Sequence, residues 1–180
     1  MITNEARRSI EAIFELAARS RLTATAGDAC TVSQVAPGAR DDGSIGPRAI
    51  VLTISSIAFR LLFVLHFSDD DATRAYYVGD DTSRTLTEVL TETGNLCCGY
   101  MNQQMVAYFP DLGMSTPYEL SSHCIDYLDE LKPDHVWAYE LLLGDRARLA
   151  VTLCVCAKAP LDFVAEVADE PQGEGELELF

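Results

Sequence analysis

The chain has 180 residues, 48% of them hydrophobic, and carries 13 Lys and Arg against 28 Asp and Glu, a formal charge of −15. The length suits one domain of ordinary size, and the apolar share supplies a real core, which excludes a disordered or low-complexity chain. A surface this negative repels phosphate backbones and anionic headgroups, which argues against nucleic acid and membrane surfaces as partners.

Residues 4–21 are predicted to form a helix, with Ile10, Ile13, Phe14 and Ala17 spaced along one face and Arg and Glu around the rest. Those charges leave no apolar block near the start, so no secretory leader is read there and a cytoplasmic location is expected. Residues 22–46 show no clean period; one short strand at 30–35 is expected, with loop around Gly27 and the Pro37-Gly38 pair. Residues 48–54 and 58–67 are rich in Ile, Leu, Val and Phe, and the Ser55-Ser56 step between them predicts an antiparallel hairpin at the sheet centre. The apolar run 57–67 holds Arg60 and His66 and falls far short of the roughly 20 residues that span a bilayer.

Ser68, followed by three aspartates, predicts a short helix to about residue 78, broken by Gly79, Asp80 and Asp81. From residue 82 to about 109 no proline intervenes, and Asp81 is a plausible N-cap, so the longest helix is expected there, close to 40 Å at about 1.5 Å per residue. Residues 113–121 read as an extended connector or strand. A second hairpin, 135–143 with 148–157, turns at Gly144-Asp145-Arg146. The fold class expected is α/β of the α+β type, a mainly antiparallel sheet with the first and the long helix packed on one face. It fills a domain of residues 1–165, followed by an acidic tail, 166–180. From Asp162 onward there are seven acids and no Lys or Arg, which reads as mostly solvated and leaves −8 on the body.

Six cysteines without CxxC or HxxxH spacing read as free thiols in apolar surroundings, with no metal site. His66, His123 and His135 sit on separate segments, so no Ser–His–Asp constellation is expected. The alternative of a redox or metal protein would rest on Cys97, Cys98, Cys124, Cys154 or Cys156.

The long helix carries the chemistry. At 100° per residue, Glu88, Glu92, Asn95, Gly99, Asn102 and Gln103 fall within roughly a third of the circumference, and Leu86, Leu90, Cys97, Met101 and Tyr108 gather opposite. From Glu88 to Gln103 the polar stripe holds two carboxylates one turn apart, carboxamides and a glycine, with no Lys or Arg. Like charges at i, i+4 cost a few tenths of a kcal/mol and an interior Gly about 1 kcal/mol relative to Ala; Gly94 adds a second such penalty. Two readings follow: Gly99 admits a neighbouring helix of the same chain beside a plain solvated face, or Gly99 lets another protein's backbone approach while Glu92 and Asn95 reach out together. A carboxylate accepts from an ammonium or hydroxyl group, and a carboxamide both donates and accepts, so it can orient a water.

Glu92-Thr-Gly-Asn95-Leu-Cys-Cys-Gly99 resembles the ExxNxxxG signature of the CheC/CheX/FliY family of chemotaxis phosphatases, and the element order over about residues 4–160, including Met114-Ser115-Thr116-Pro117, resembles that family's. The resemblance implies hydrolysis of the aspartyl phosphate on a response-regulator receiver domain of the CheY type. Glu92 would contact the receiver's active-site lysine and Asn95 would position the attacking water. Glu88, Gly99, Asn102 and Gln103 would line the docking face, with Glu88 peripheral because the family usually has Asp or Ser there. The chain would need no cofactor of its own; Mg2+ would belong to the receiver. Asn4, Asn95 and Asn102 are the only asparagines, so a single centre is present, which resembles CheX and implies a homodimer. An adaptor that binds receivers through the same helix without catalysis is the competing expectation.

Overall fold

The computed structural model describes residues 1–37, 46–81 and 83–166. Gly38, Thr82 as the expected first helical residue, and residues 167–180 of the expected tail lie outside them. In chain order the elements are α1 (Asn4–Arg21), β1 (Cys30–Val35), β2 (Arg48–Ser55), β3 (Phe59–Phe67), α2 (Asp71–Tyr77), α3 (Leu86–Val106), β4 (Gly113–Met114), β5 (Tyr118–Ser121), a 3₁₀ segment (Ser122–Leu131), β6 (His135–Leu143) and β7 (Ala147–Ala157).

All strand pairs are antiparallel, in the order β1-β6-β7-β3-β2-β4, with β5 continuing along the outer side of β2. Both expected hairpins form, with Ser55 opposite Arg60 and Leu143 opposite Ala147. Gly144 and Asp145 take φ of 54° and 57°, the left-handed pair that a tight turn between right-twisted strands requires.

Alternation in the central strands explains their unbroken apolar sequence. Ile50, Leu52 and Ile54 of β2 and Leu61, Phe63 and Leu65 of β3 face α1 and α3 in the main core. Ala49, Val51 and Val64 point the other way, against Cys124 and Ile125 of the 3₁₀ segment. Strands covered on both faces have no polar side to show. The 3₁₀ cover, which no sequence signal above anticipated, also brings Ser122 to the buried His66. The ring's Nδ1 lies 3.1 Å from Ser122 Oγ and its Nε2 2.9 Å from Thr152 Oγ1.

Three expected boundaries shift. The N-cap of α2 is Asp70, not Ser68: its carboxylate accepts from the Thr73 N–H at 2.8 Å. Helix α3 begins at Leu86 rather than residue 82, and it ends at Val106, giving 21 residues or about 30 Å. Asp81 instead closes a local turn, accepting from the Ser83 N–H at 2.9 Å and from the Ser83 hydroxyl at 2.6 Å. The acidic stretch starting at Asp162 is docked over the part described. Ala165 N–H donates to Ser9 Oγ at 2.9 Å and Phe163 is buried between the rings of Tyr108 and Phe109. Phe163 and the hydrogen bonds to α1 hold residues 162–166 to the body despite their charge.

Among the described residues no helix is long and apolar enough to cross a membrane.

Candidate functional site

Thr85, not Asp81, caps α3 because Glu88 answers it. Thr85 Oγ1 accepts from the Glu88 N–H at 3.2 Å, and the Glu88 carboxylate accepts from the Thr85 N–H at 2.7 Å and the Thr85 hydroxyl at 2.8 Å. The Thr85 N–H, then the hydroxyl, hold the Glu88 carboxyl below the usual carboxylate range. This box was present in the sequence as Thr-x-x-Glu, and it gives Glu88 a structural role the sequence reading did not assign.

From this start α3 turns Leu86, Leu90, Cys97, Met101 and Met105 into the core. The two glycines part company. A Cβ on Gly94 would sit 3.3 Å from Leu65 Cδ2 and 3.8 Å from Leu52 Cδ1, so Gly94 lets the helix lie close on β2 and β3. A Cβ on Gly99 would meet nothing within 4 Å, so no described part of this chain uses the approach that Gly99 opens. The helical wheel already puts Gly94 roughly 200° from Glu92, on the core side.

The outward stripe forms as expected: Glu88, Glu92 and Gln103 are exposed, Asn95, Gly99 and Asn102 half-buried. Asn102 Oδ1 is buried and has no hydrogen-bond partner among the described residues. Leu96, beside Glu92 and Asn95, is 52% exposed. Glu92, Asn95 and Glu88 line a shallow depression of about 410 Å³ with Thr87, Thr91 and Pro117. Pro117 arrives there because Ser115 is stitched to β2: its N–H donates to Thr53 O at 2.9 Å and its hydroxyl accepts from the Thr53 N–H at 3.0 Å.

One neighbour was missed from sequence. Arg84, immediately before the cap, reaches over the first turns of α3 and pairs with the Glu92 carboxylate. The hydrogen bond to Glu92 raises the already high pKa of that guanidinium. The helix expected from residue 82 includes Arg84, and about 100° per residue puts it about 80° from Glu92, at the edge of the stripe, so a count of cations from residue 82 finds it. In the structure it precedes the helix and reaches Glu92 from the loop.

Three of the six thiols lie in the core, and Cys30, Cys124 and Cys156 are half-buried. Cys97, Cys98 and Cys154 are buried; burial pushes the Cys98 and Cys154 thiols up to about 12 and Cys97 well above its ordinary value. His123 is exposed beside Asp126, and His135 is half-buried against Trp137. Among the described residues no group of three or more His, Cys, Asp or Glu could hold a metal.

No protein-family model matches the sequence, and no curated protein matches it. Solved structures do. CheX from Borrelia burgdorferi, in a complex with CheY, BeF3 and Mg2+, superposes with a TM-score of 0.55 at 14% identity, over 82% of this chain and 97% of that one. Vibrio vulnificus CheX gives 0.52 at 11% identity, over 86% and 98%, and a CheC-like superfamily protein from a Shewanella species gives 0.52 at 6%, over 86% and 99%. The chain has the fold of the CheX and CheC-like chemotaxis proteins. At these identities the likeness is one of fold. In this CheX-like frame the single Glu92/Asn95/Gly99 stripe lies on α3, while the neighbouring α1 offers Glu11-x-x-Phe14 and Glu15-x-x-Ala18 and no asparagine beyond its first residue.

Proposed function

We propose that the chain is a phosphatase that hydrolyses the aspartyl phosphate of a CheY-type receiver domain in chemotaxis or another two-component pathway. The observation that carries the reading is the outward stripe of α3. Glu92, Asn95 and Gly99 stand at the ExxNxxxG spacing, a third to two-thirds of the way along a helix whose other side is locked into the core, and Gly99 is open to an approaching backbone. The fold it shares with CheX supports the reading, as does the existence of one such neighbour as a complex with CheY.

In the proposed reaction, the Glu92 carboxylate accepts from the receiver's lysine ammonium and sets the register of docking. The Asn95 carboxamide enters beside the acyl phosphate, and its oxygen accepts a hydrogen bond from a water, aligning it opposite the P–O bond to be broken. The water oxygen bonds to phosphorus, the aspartate carboxylate leaves with the electron pair, and the water's proton departs with inorganic phosphate. An acyl phosphate is already activated, so alignment and charge stabilisation suffice, and the Mg2+ that neutralises the phosphoryl oxygens is assigned to the receiver. Gly99 leaves room for the receiver's backbone, and Asn102 and Gln103 extend the polar contact along the same stripe. Glu88 stays in its cap at the margin.

The same reading carries a cytoplasmic location and a homodimer, for which β1, at the end of the sheet, is an edge available to a second copy. Sedimentation of the purified protein tests the dimer. The phosphatase reading is tested by phosphate release from receivers of the source organism, phosphorylated with acetyl phosphate, in the presence of wild-type protein or Asn95→Ala. Equal rates would sink it; retained binding without acceleration by the wild type would select the adaptor.

A further inference from the structure

We propose that Arg84 is an exchangeable latch on Glu92, so that a receiver docks only by replacing its guanidinium with the receiver's own ammonium. The inference deepens the proposed phosphatase function and rests on it. Three observations converge. Glu92 is shared by two depressions: the one that holds Asn95 and Pro117, and a second of about 310 Å³ lined by Arg84, Val89, Thr93 and Leu96. Arg84 lines the second and not the first, so the ion pair holds Glu92 from the side of the second depression. Helix α3 itself contributes no Lys or Arg, so Arg84 is placed where the helix offers only Glu88 and Glu92; Asp81 and Arg21 line the same depression, and of the two cations Arg84 is the one paired with Glu92.

Both partners are largely in water, Arg84 at 46% and Glu92 at 61% side-chain exposure, which sets the strength of the latch. An exposed pair of this kind is weak enough to exchange. An ammonium approaching Glu92 meets the same carboxylate and, until Arg84 swings off, a like charge beside it. A cation of the right reach can take the place of the guanidinium, whereas a neutral surface leaves the pair intact. Arg84 therefore acts through Glu92 as a positioning residue that weakens docking and selects for a cationic contact.

The experiment compares wild type, Arg84→Gln, Arg84→Lys, Glu92→Gln and the Arg84→Gln/Glu92→Gln pair. Phosphate release from an acetyl-phosphate-labelled CheY-type receiver gives KM and kcat, and titration with the same receiver carrying BeF3 and Mg2+ gives Kd without turnover. Arg84→Gln is expected to lower KM and Kd together by about twofold to fivefold with kcat unchanged, the span an exposed ion pair allows. Arg84→Lys restores wild-type values, and the pair matches Glu92→Gln alone. An unchanged or raised Kd in Arg84→Gln, a fall in its kcat, or the same gain on top of Glu92→Gln overturns the latch. Failure of the phosphatase reading shows separately, as turnover indifferent to Asn95→Ala while the Kd comparison still decides the latch; a receiver panel that the wild type neither binds nor dephosphorylates overturns both.

Discussion

Two long helices lie side by side on one face of the same sheet, and they are finished differently on their outer sides. Helix α1 buries Ala6, Ile10, Ile13, Phe14, Ala17 and Ala18, pairs Arg19 with Glu15 one turn away at 3.1 Å, and places Arg19 and Arg21 in its last turn, where cations suit the helix dipole. Helix α3 buries its own apolar side as fully but ends without a basic residue, sets Glu88 and Glu92 one turn apart, and interrupts itself twice with glycine. Burial on one side is what both need in order to pack, and both set acids one turn apart, Glu11 and Glu15 on α1 as Glu88 and Glu92 on α3; the outer sides differ in that α3 carries Gly99 with open space around it and ends without a cation. Such departures concentrate at functional sites, and here Gly99 lies on the outer stripe while Gly94 serves the packing.

The comparison breaks first at Asn95. Asn95→Ala is expected to reduce receiver dephosphorylation by about 100-fold or more, the scale of losing one group that is aimed at the reacting centre. Glu15→Ala on α1 should leave the rate unchanged. Single-turnover phosphate release reads both, and a comparable loss from Glu15→Ala would erase the distinction between the helices.

Within α3 the glycines sharpen it. Gly94→Leu drives a side chain into Leu65 and Leu52 and is expected to destabilise by about 1–3 kcal/mol in urea unfolding. Gly99→Ala, with open space around the new methyl, is expected to stabilise by up to about 1 kcal/mol while raising KM for the receiver. Equal stability effects at the two positions would contradict the packing described.

Thr85→Ala removes the α3 cap and should cost about 1 kcal/mol. The two helix starts then separate by pH. The Glu88 carboxyl is held low in the folded state by Thr85, so what it contributes is present above its unfolded pKa and is lost as pH falls through its lower folded value. At α1 the cap is Thr3, accepting from the Ala6 N–H at 3.2 Å and donating its hydroxyl to the Asp162 carboxylate at 2.8 Å, with alanine where α3 has Glu88. As pH falls below the ordinary carboxylate range, the Val89 amide should therefore lose exchange protection before the Arg7 amide does, because only Glu88 accepts from its cap's backbone N–H. The reverse order would remove Glu88 from the cap.

What local pattern decides, the sequence could show. The four long strands appear where apolar runs demand two covered faces, within a residue of their expected ends, and α1 matches its amphipathic repeat because helical spacing is a property of neighbours. The stripe of Glu92, Asn95 and Gly99 is legible for the same reason: residues three and four apart on a helix share a face whatever surrounds it. The expected α3 cap, Asp81, is replaced by Thr85, because Glu88 answers Thr85 and Asp81 is taken by its turn with Ser83.

Other features required the fold. Residues 162–165 fall inside the expected domain, but what holds them, Ser9 and the rings of Tyr108 and Phe109, lies more than fifty positions away and could not be read from their acidic composition. The 3₁₀ segment earns its place only once Ala49, Val51 and Val64 present a second face to cover. The difference between Gly94 and Gly99 is a difference in what stands opposite each Cα. The Arg84–Glu92 pair joins a loop to a helix face, and only the structure shows that Arg84 lies before the helix start and still reaches the carboxylate. Sequence by itself determined the elements and the chemical groups on their faces, because those depend on spacing along the chain. Tertiary structure decided which of those groups are committed within the molecule and which are left facing outward, because that depends on what long-range packing sets opposite them.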